Sequence, residues 1–166
     1  MFAGGSAGGN VLSAGAGQVT LFGGGAGDVL TIANGASNIV VGGSGAETLD
    51  GSAATGSSYI YAGTGPDVLL AGAGTTVLIG GIGADTLQGG TGTTLFAFFD
   101  GRGGGSEVVE GWDATHDHIT LQGFGAGAMA GVAGLGASGS DSVLTLTYGT
   151  RVTFLDTATL ATSSFI

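Results

Sequence analysis

Large apolar residues recur along this chain at a spacing of nine, separated by glycine, alanine and small polar residues. The clearest unit is Gly80-Gly81-Ile82-Gly83-Ala84-Asp85-Thr86-Leu87-Gln88, of the form G-G-x-G-x-D-x-U-x with U large and apolar. Carried towards the N-terminus, the register gives units at 71–79, 62–70, 53–61, 42–50, 33–41, 23–31, 14–22 and 5–13. Carried forward it gives 89–97, with one extra residue at Ile32 and two at Gly51-Ser52, both expected to be absorbed at turns. The eighth position then reads Leu12, Leu21, Leu30, Val40, Leu49, Ile60, Leu69, Leu78, Leu87 and Phe96. A column with no polar exception is a core column.

Side chains alternate along a strand, so the eighth residue points inward while the seventh and ninth point outward. The first six residues of each unit are turn-like, with glycine where the backbone needs positive φ or close approach. Two units make one coil with two parallel strands, and coils stack about 4.8 Å apart. The pattern predicts an all-β fold. Residues 1–97 form a parallel β-roll, or β-solenoid, of about five two-strand coils, and residues 98–166 form an antiparallel β cap.

The sixth position separates alternate units. Odd units carry Asn10, Asp28, Glu47, Asp67 and Asp85, whereas even units carry Val19, Asn38, Ser58, Thr76 and Thr94. In a two-unit coil these turns stack on opposite edges, one acidic and one neutral. Carboxylates stacked a strand spacing apart repel by about 3 kcal/mol per adjacent pair at an effective dielectric near 20, so a cation is expected between them. Calcium suits such an edge because it takes mixed carboxylate and backbone carbonyl ligands at about 2.3 to 2.6 Å. Asp28, Glu47, Asp67 and Asp85 are therefore the candidate calcium ligands; the alternative is an acidic edge that is merely solvated. Zinc would need His or Cys, which these turns lack. The neutral edge predicts hydroxyl and amide ladders, which could also order water or ice.

Composition narrows the function. The chain has 39 glycines, one proline, and 12 acidic against two basic residues, for a net charge of −10. Periodic glycines alternating with Val, Leu and Ile do not describe a disordered linker. The negative charge excludes nucleic acid as a natural partner. With no cysteine, disulfides and thiolate metal sites are excluded. No apolar run approaches the roughly 18 residues of a membrane span, and no basic-then-apolar N-terminal segment is present. Export, if it occurs, is expected to use a route without a cleaved N-terminal signal.

The outward positions of the even units, Thr20, Phe22, Ile39, Val41, Tyr59, Tyr61, Val77, Ile79, Leu95 and Ala97, make an apolar face. Such a face is expected to be covered by residues 123–166 or by a partner. The first coil begins almost at Met1, leaving an open end strand as a further surface for self-association.

Beyond Ala97 the period breaks. A loop at 101–106 precedes two expected strands, 107–112 and 118–122, around Asp113-Ala114-Thr115-His116-Asp117. Residues 123–139 resemble a flexible connector or loose cover, and 143–148 with 151–155 predict a hairpin around Gly149-Thr150. His116 and His118, two apart at a strand start, could ligate zinc with Asp113 or Asp117. Asp113 and Asp117 are otherwise candidates for an additional calcium in the cap. No serine, cysteine or paired-carboxylate constellation supports catalysis, and the chain is expected not to be an enzyme.

The units at 80–88, 62–70 and 42–50 resemble RTX (haemolysin-type) calcium-binding repeats. Leu95-Phe96-Ala97-Phe98, Glu107-Val108-Val109-Glu110-Gly111-Trp112 and Asp117-His118-Ile119-Thr120-Leu121 are similar to the region that caps the β-roll in serralysin-type and related type I-secreted proteins. Residues 159–166 resemble their uncleaved C-terminal secretion signals. The resemblance implies a roll that is unfolded in the low-calcium cytosol, passes through type I secretion machinery and folds outside the cell. Family members often load both edges. Here only Asp28, Asp67 and Asp85 keep the family aspartate and Glu47 is a longer substitute, so calcium is expected on one edge only.

Three roles follow from this reading. The first is an extracellular structural module, free or associated with the cell surface, that self-associates in a layer, fibre or matrix. The second is the C-terminal export and folding module of a larger secreted hydrolase, toxin or adhesin. The third is a β-solenoid that binds ice, glycan or another surface.

Overall fold

The computed structural model describes residues 1–35, 37–102, 105–147 and 149–166. In chain order the first strands are β1 (Phe2–Ala3), β2 (Val11–Ala14), β3 (Val19–Phe22), β4 (Val29–Ile32), β5 (Ser37–Ser44) and β6 (Thr48–Asp50). They are followed by β7 (Ser57–Thr64), β8 (Val68–Leu70), β9 (Thr76–Ile82), β10 (Thr86–Gln88) and β11 (Thr94–Phe99). The last are β12 (Ser106–Glu110), β13 (His118–Gln122), β14 (Val132–Ser138), β15 (Asp141–Leu146) and β16 (Arg151–Phe154). Tyr148, the expected end of the first hairpin strand, and Gly103 and Gly104 of the expected loop lie outside the described residues.

Odd strands β1 to β13 make one seven-stranded parallel sheet. Even strands β2 to β12 make the facing sheet, which β16, β15 and β14 extend to nine strands. The fold is therefore the expected parallel β-roll with an antiparallel end. Register explains the core. Leu30, Leu49, Leu69, Leu87 and Val109 lie side by side in one sheet, and Leu21, Val40, Ile60, Leu78, Phe96 and Ile119 in the other. All of these are fully buried. Each such burial is worth about 1.5 to 3 kcal/mol, so the two columns facing each other hold the sheets together.

Ile32 is not absorbed at a turn as expected: it extends β4 and is fully buried. Gly51 leaves room beside it, where an added Cβ would stand 2.8 Å from Ile60 Cδ1 and 3.6 Å from Ile32 Cδ1. The other insertion does form a turn, in which Asp50 Oδ1 accepts from the N–H and hydroxyl of Ser52 at 2.9 and 2.6 Å.

Parallel stacking continues past residue 97. β12 pairs with β10 and β13 with β11, adding a coil that brings the roll to about six. β16 then stacks parallel on β12, while Phe165 bridges Ile119 in the other sheet, and the Ile166 N–H donates to Ile119 O at 3.0 Å. The last coil is thus covered on both sheets by chain arriving from the hairpins. Phe96, Trp112 and Phe154 pack as an aromatic trio with centroids 5.4 to 6.4 Å apart, fastening this end to the core.

Part of the expected connector at 123–139 is a strand. β14 pairs antiparallel with β15, and β15 with β16 as the expected hairpin. The glycines of β14 read locally as linker, but pairing with β15, which follows it after a two-residue turn, supplies the order.

Candidate metal centre

Each turn leading from the odd-strand sheet to the even-strand sheet ends on a sixth-position residue, placed just before its strand: Asn10 before β2, Asp28 before β4, Glu47 before β6, Asp67 before β8 and Asp85 before β10. Parallel register stacks them on one edge, as the spacing predicted. Glu107, inside β12, joins the same row, because Thr86 pairs with Val108. Asp28, Glu47, Asp67, Asp85 and Glu107 are each no more than 3% exposed.

One oxygen of most of these carboxylates is held by the preceding coil. The backbone N–H of Asn10 donates to Asp28 Oδ1 at 2.7 Å, that of Glu47 to Asp67 Oδ1 at 2.7 Å, and that of Asp67 to Asp85 Oδ1 at 2.8 Å. The N–H of Asp85 reaches Glu107 Oε2 at 3.3 Å. The rhythm breaks at Glu47, whose longer side chain leaves both oxygens without a partner. The second oxygens of Asp28, Asp67 and Asp85 are also buried and unpartnered. Burying a carboxylate oxygen without a donor or counter-ion is costly, so this row of acceptors is chemically incomplete.

The titration of the row shows the same strain. Burial, reinforced by neighbouring carboxylates, pushes Glu47 and Glu107 up to about 8. Burial raises Asp85 to about 6 even though the Asp67 N–H opposes it, and burial raises Asp67 as well.

Backbone oxygens lie beside the unpartnered atoms. A Cβ added to Gly23 would stand 2.8 Å from Gly42 O and 2.9 Å from Asp28 Oδ2, so the missing side chain leaves a cradle with a carbonyl and a free carboxylate oxygen on its wall. A hard divalent cation takes this donor set of carboxylate and carbonyl oxygens. No three His, Asp or Glu side chains converge on one point among the described residues. The carboxylates are instead spread one per coil, and the remaining donors are backbone.

The opposite edge differs from the expected ladders. Asn38, Ser58, Thr76 and Thr94 are buried. Asn38 Nδ2 donates to Ser58 Oγ at 3.5 Å, but Thr76 Oγ1 has no partner. Backbone bonds carry the stacking there, from the Ser58 N–H to Thr75 O and the Thr76 N–H to Thr93 O, both 2.9 Å. Thr76 and Thr94 are buried, so these sixth-position hydroxyls do not face solvent.

Asp117 closes this second edge. Its Oδ1 accepts from the Thr94 N–H at 2.8 Å and its Oδ2 from the Asp113 N–H at 2.9 Å. Asp113 Oδ1 accepts from the Thr115 hydroxyl and N–H at 2.6 and 2.8 Å, which hold its carboxyl below the ordinary value. His116 sits between the two acids, with Nε2 3.1 Å from Asp113 Oδ2 and Nδ1 3.1 Å from Asp117 Oδ1. These groups satisfy one another and present no free oxygen row. His118 stands on β13 while His116 belongs to the preceding turn, so the two do not share a strand face as expected.

Glu107 escaped the sequence reading because a loop interrupts the nonapeptide count. The signal was present as Glu107-Val108-Val109, which repeats the D-x-U spacing of Asp85-Thr86-Leu87, and again as Asp117-His118-Ile119.

The RTX calcium-binding nonapeptide repeat (4 copies) matches residues 4–39, 32–56, 41–78, 53–87 and 70–93. The chain belongs to the RTX calcium-binding repeat family. RTX repeats bind calcium, are structural modules and typify secreted proteins. No curated protein matches the sequence. Among solved structures, the extracellular lipase LipA from Serratia marcescens is similar at 19% identity with a TM-score of 0.39, covering 93% of this chain and 37% of that one. This chain thus corresponds to well under half of the lipase's length. No helix among the described residues is long and apolar enough to cross a membrane.

Proposed function

We propose that this chain is an extracellular structural module whose RTX roll folds as calcium fills the acidic edge, with Asp28, Glu47, Asp67 and Asp85 as its carboxylate ligands. The observation that carries this reading is the row of buried, unpartnered carboxylate oxygens on that edge; on the other, the buried unpartnered oxygens among the described residues are the Asn38 amide and Thr76 hydroxyl oxygens, and no carboxylate. Bound calcium supplies positive charge between the carboxylates and takes up their free oxygens. Asp113 and Asp117 stay outside the ligand set because their oxygens already accept hydrogen bonds. Residues 1–97 supply these four ligands, and residues 98–166 act as the cap and carry the export signal at 159–166.

Export and folding are coupled in this reading. Phe165 and Leu160 are buried in the folded chain, so type I secretion machinery must read this end before folding, where calcium is scarce. Asp67→Asn keeps an acceptor for the Glu47 N–H but removes a charge from the middle of the row. Its calcium half-saturation is expected to rise at least about tenfold by titration calorimetry, and Thr76→Val to leave it unchanged. Equal effects of the two substitutions would reject the one-sided column.

Self-association is supported by the outer face of the odd-strand sheet. Phe22, Ile39 and Tyr59 are 38%, 46% and 54% exposed, and residues 123–166 pack at the end of the roll without covering them. Among the described residues the outward strand positions of this face carry no Asp, Glu, Lys or Arg, so an identical face on a second copy is its natural match. In calcium, sedimentation is expected to show a dimer or larger particle that Tyr59→Lys with Ile79→Lys returns to monomer. A wild-type monomer at high concentration would leave the export and folding role of a larger secreted protein as the better account.

A further inference from the structure

The acidic row outlasts the repeats. The repeat match stops at residue 93, yet the chain leaves β11, passes through residues 100–105 and returns in register, placing Glu107 above Asp85. We infer that Glu107 is a calcium ligand, and that the ion it shares with Asp85 ties the cap to the roll. This rests on the calcium reading of the acidic edge.

The geometry at this interval is that of a built site. Asp85 is 1% exposed and its Oδ2 has no partner. Gly80 shows where that oxygen points: a Cβ added there would stand 2.7 Å from Asp85 Oδ2 and 3.0 Å from Glu107 Oε2. The two carboxylates therefore border one cleft, from below and from above, and glycine keeps it open. Neither arginine serves as the counter-ion. Arg102 and Arg151 are exposed, and the ion pairs among the described residues involve only His116. Two acidic groups buried around one cleft without a basic partner call for a divalent, oxygen-seeking cation.

The other end of the row is closed differently. Asn10 Nδ2 donates to Asp28 Oδ1 at 2.8 Å and to Gly5 O at 3.0 Å, so an amide N–H occupies the interval between Asn10 and Asp28. The ion column accordingly runs from Asp28 to Glu107. Its last member has a task the others lack. Glu107 lies opposite Val152 and Val109 opposite Phe154, so fixing β12 also fixes β16, on which β15 and β14 hang.

Glu107→Gln in the full chain tests this, because glutamine retains an acceptor for the Asp85 N–H while losing the charge. Equilibrium dialysis against calcium is expected to find about one ion fewer per chain than in wild type. Hydrogen exchange in calcium is expected to quicken at least about tenfold at 106–110 and 151–154 while β4, β6 and β8 stay protected. An unchanged ion count with unchanged protection would overturn the inference. A wild-type chain that binds no calcium would instead overturn the reading beneath it. Should the variant fail to fold, lanthanide-soaked wild-type crystals decide the matter: an anomalous peak between Asp85 and Glu107 supports the site, and peaks at the other intervals alone exclude it.

Discussion

Stripping calcium from this chain at pH 8 is expected to abolish most of its β circular dichroism, and returning calcium to restore it. The roll at that pH buries Asp28, Glu47, Asp67, Asp85 and Glu107 in one row, each of them nearly solvent-free, and the first four keep oxygens without a partner. A ligand at a thousand times its dissociation constant stabilises the folded state by about 4 kcal/mol per site. Two or three such sites match the whole stability of an ordinary domain, about 5 to 15 kcal/mol. Acid is expected to replace part of that stabilisation. Glu47 and Glu107 titrate near 8 in the ion-free fold, against an ordinary 4.5, and Asp85 near 6, against 3.8. Raised folded values mean that the fold binds more protons than the unfolded chain between those limits, so ion-free stability falls as pH rises through about 4.5 to 8. Metal-stripped protein should thus melt at a higher temperature at pH 5 than at pH 8. Calcium binding near neutrality should release protons, visible as a buffer-dependent calorimetric enthalpy. Equal melting temperatures with and without calcium at pH 8 would remove the ion from the folding mechanism.

Leu69→Ala is expected to cost about 3 to 5 kcal/mol in calcium, whereas Val68→Ala beside it should cost under about 1 kcal/mol. Leu69 is fully buried between Leu49 and Leu87, and Val68 is 38% exposed on the outer surface. The short strand β8 leaves little room for its neighbours to close a cavity, since each inward residue is stacked between copies of itself. Urea unfolding of the two variants at saturating calcium reads the difference directly. Similar costs would show that the eighth position is not the column that holds the sheets together.

The acidic edge was legible because it depends on period alone. Once Asp85 sets the register, Asp28, Glu47 and Asp67 fall in line two units apart, and parallel pairing preserves that alignment. Glu107 was not legible in the same way, because a segment of unrelated composition separates it from the last unit and only pairing with β10 restores the register. β14 was missed for a related reason. Val132-Ala133-Gly134-Leu135-Gly136 has the composition of a connector, and its order comes from β15.

The nonapeptide period by itself determined the all-β class, the inward column of Leu, Ile and Val, the two kinds of edge and the apolar outer face, since each follows from which side of a strand a residue faces. What only the tertiary structure decided is where partners come from. It placed Glu107 on Asp85, buried Thr76 and Thr94, satisfied Asp113 and Asp117 through the Thr94 N–H, Thr115 and His116, and closed the last coil with β16 and Phe165. Local spacing records the direction of a side chain, but hydrogen bonds and burial depend on residues brought alongside from elsewhere in the chain, and that information lies in no single repeat.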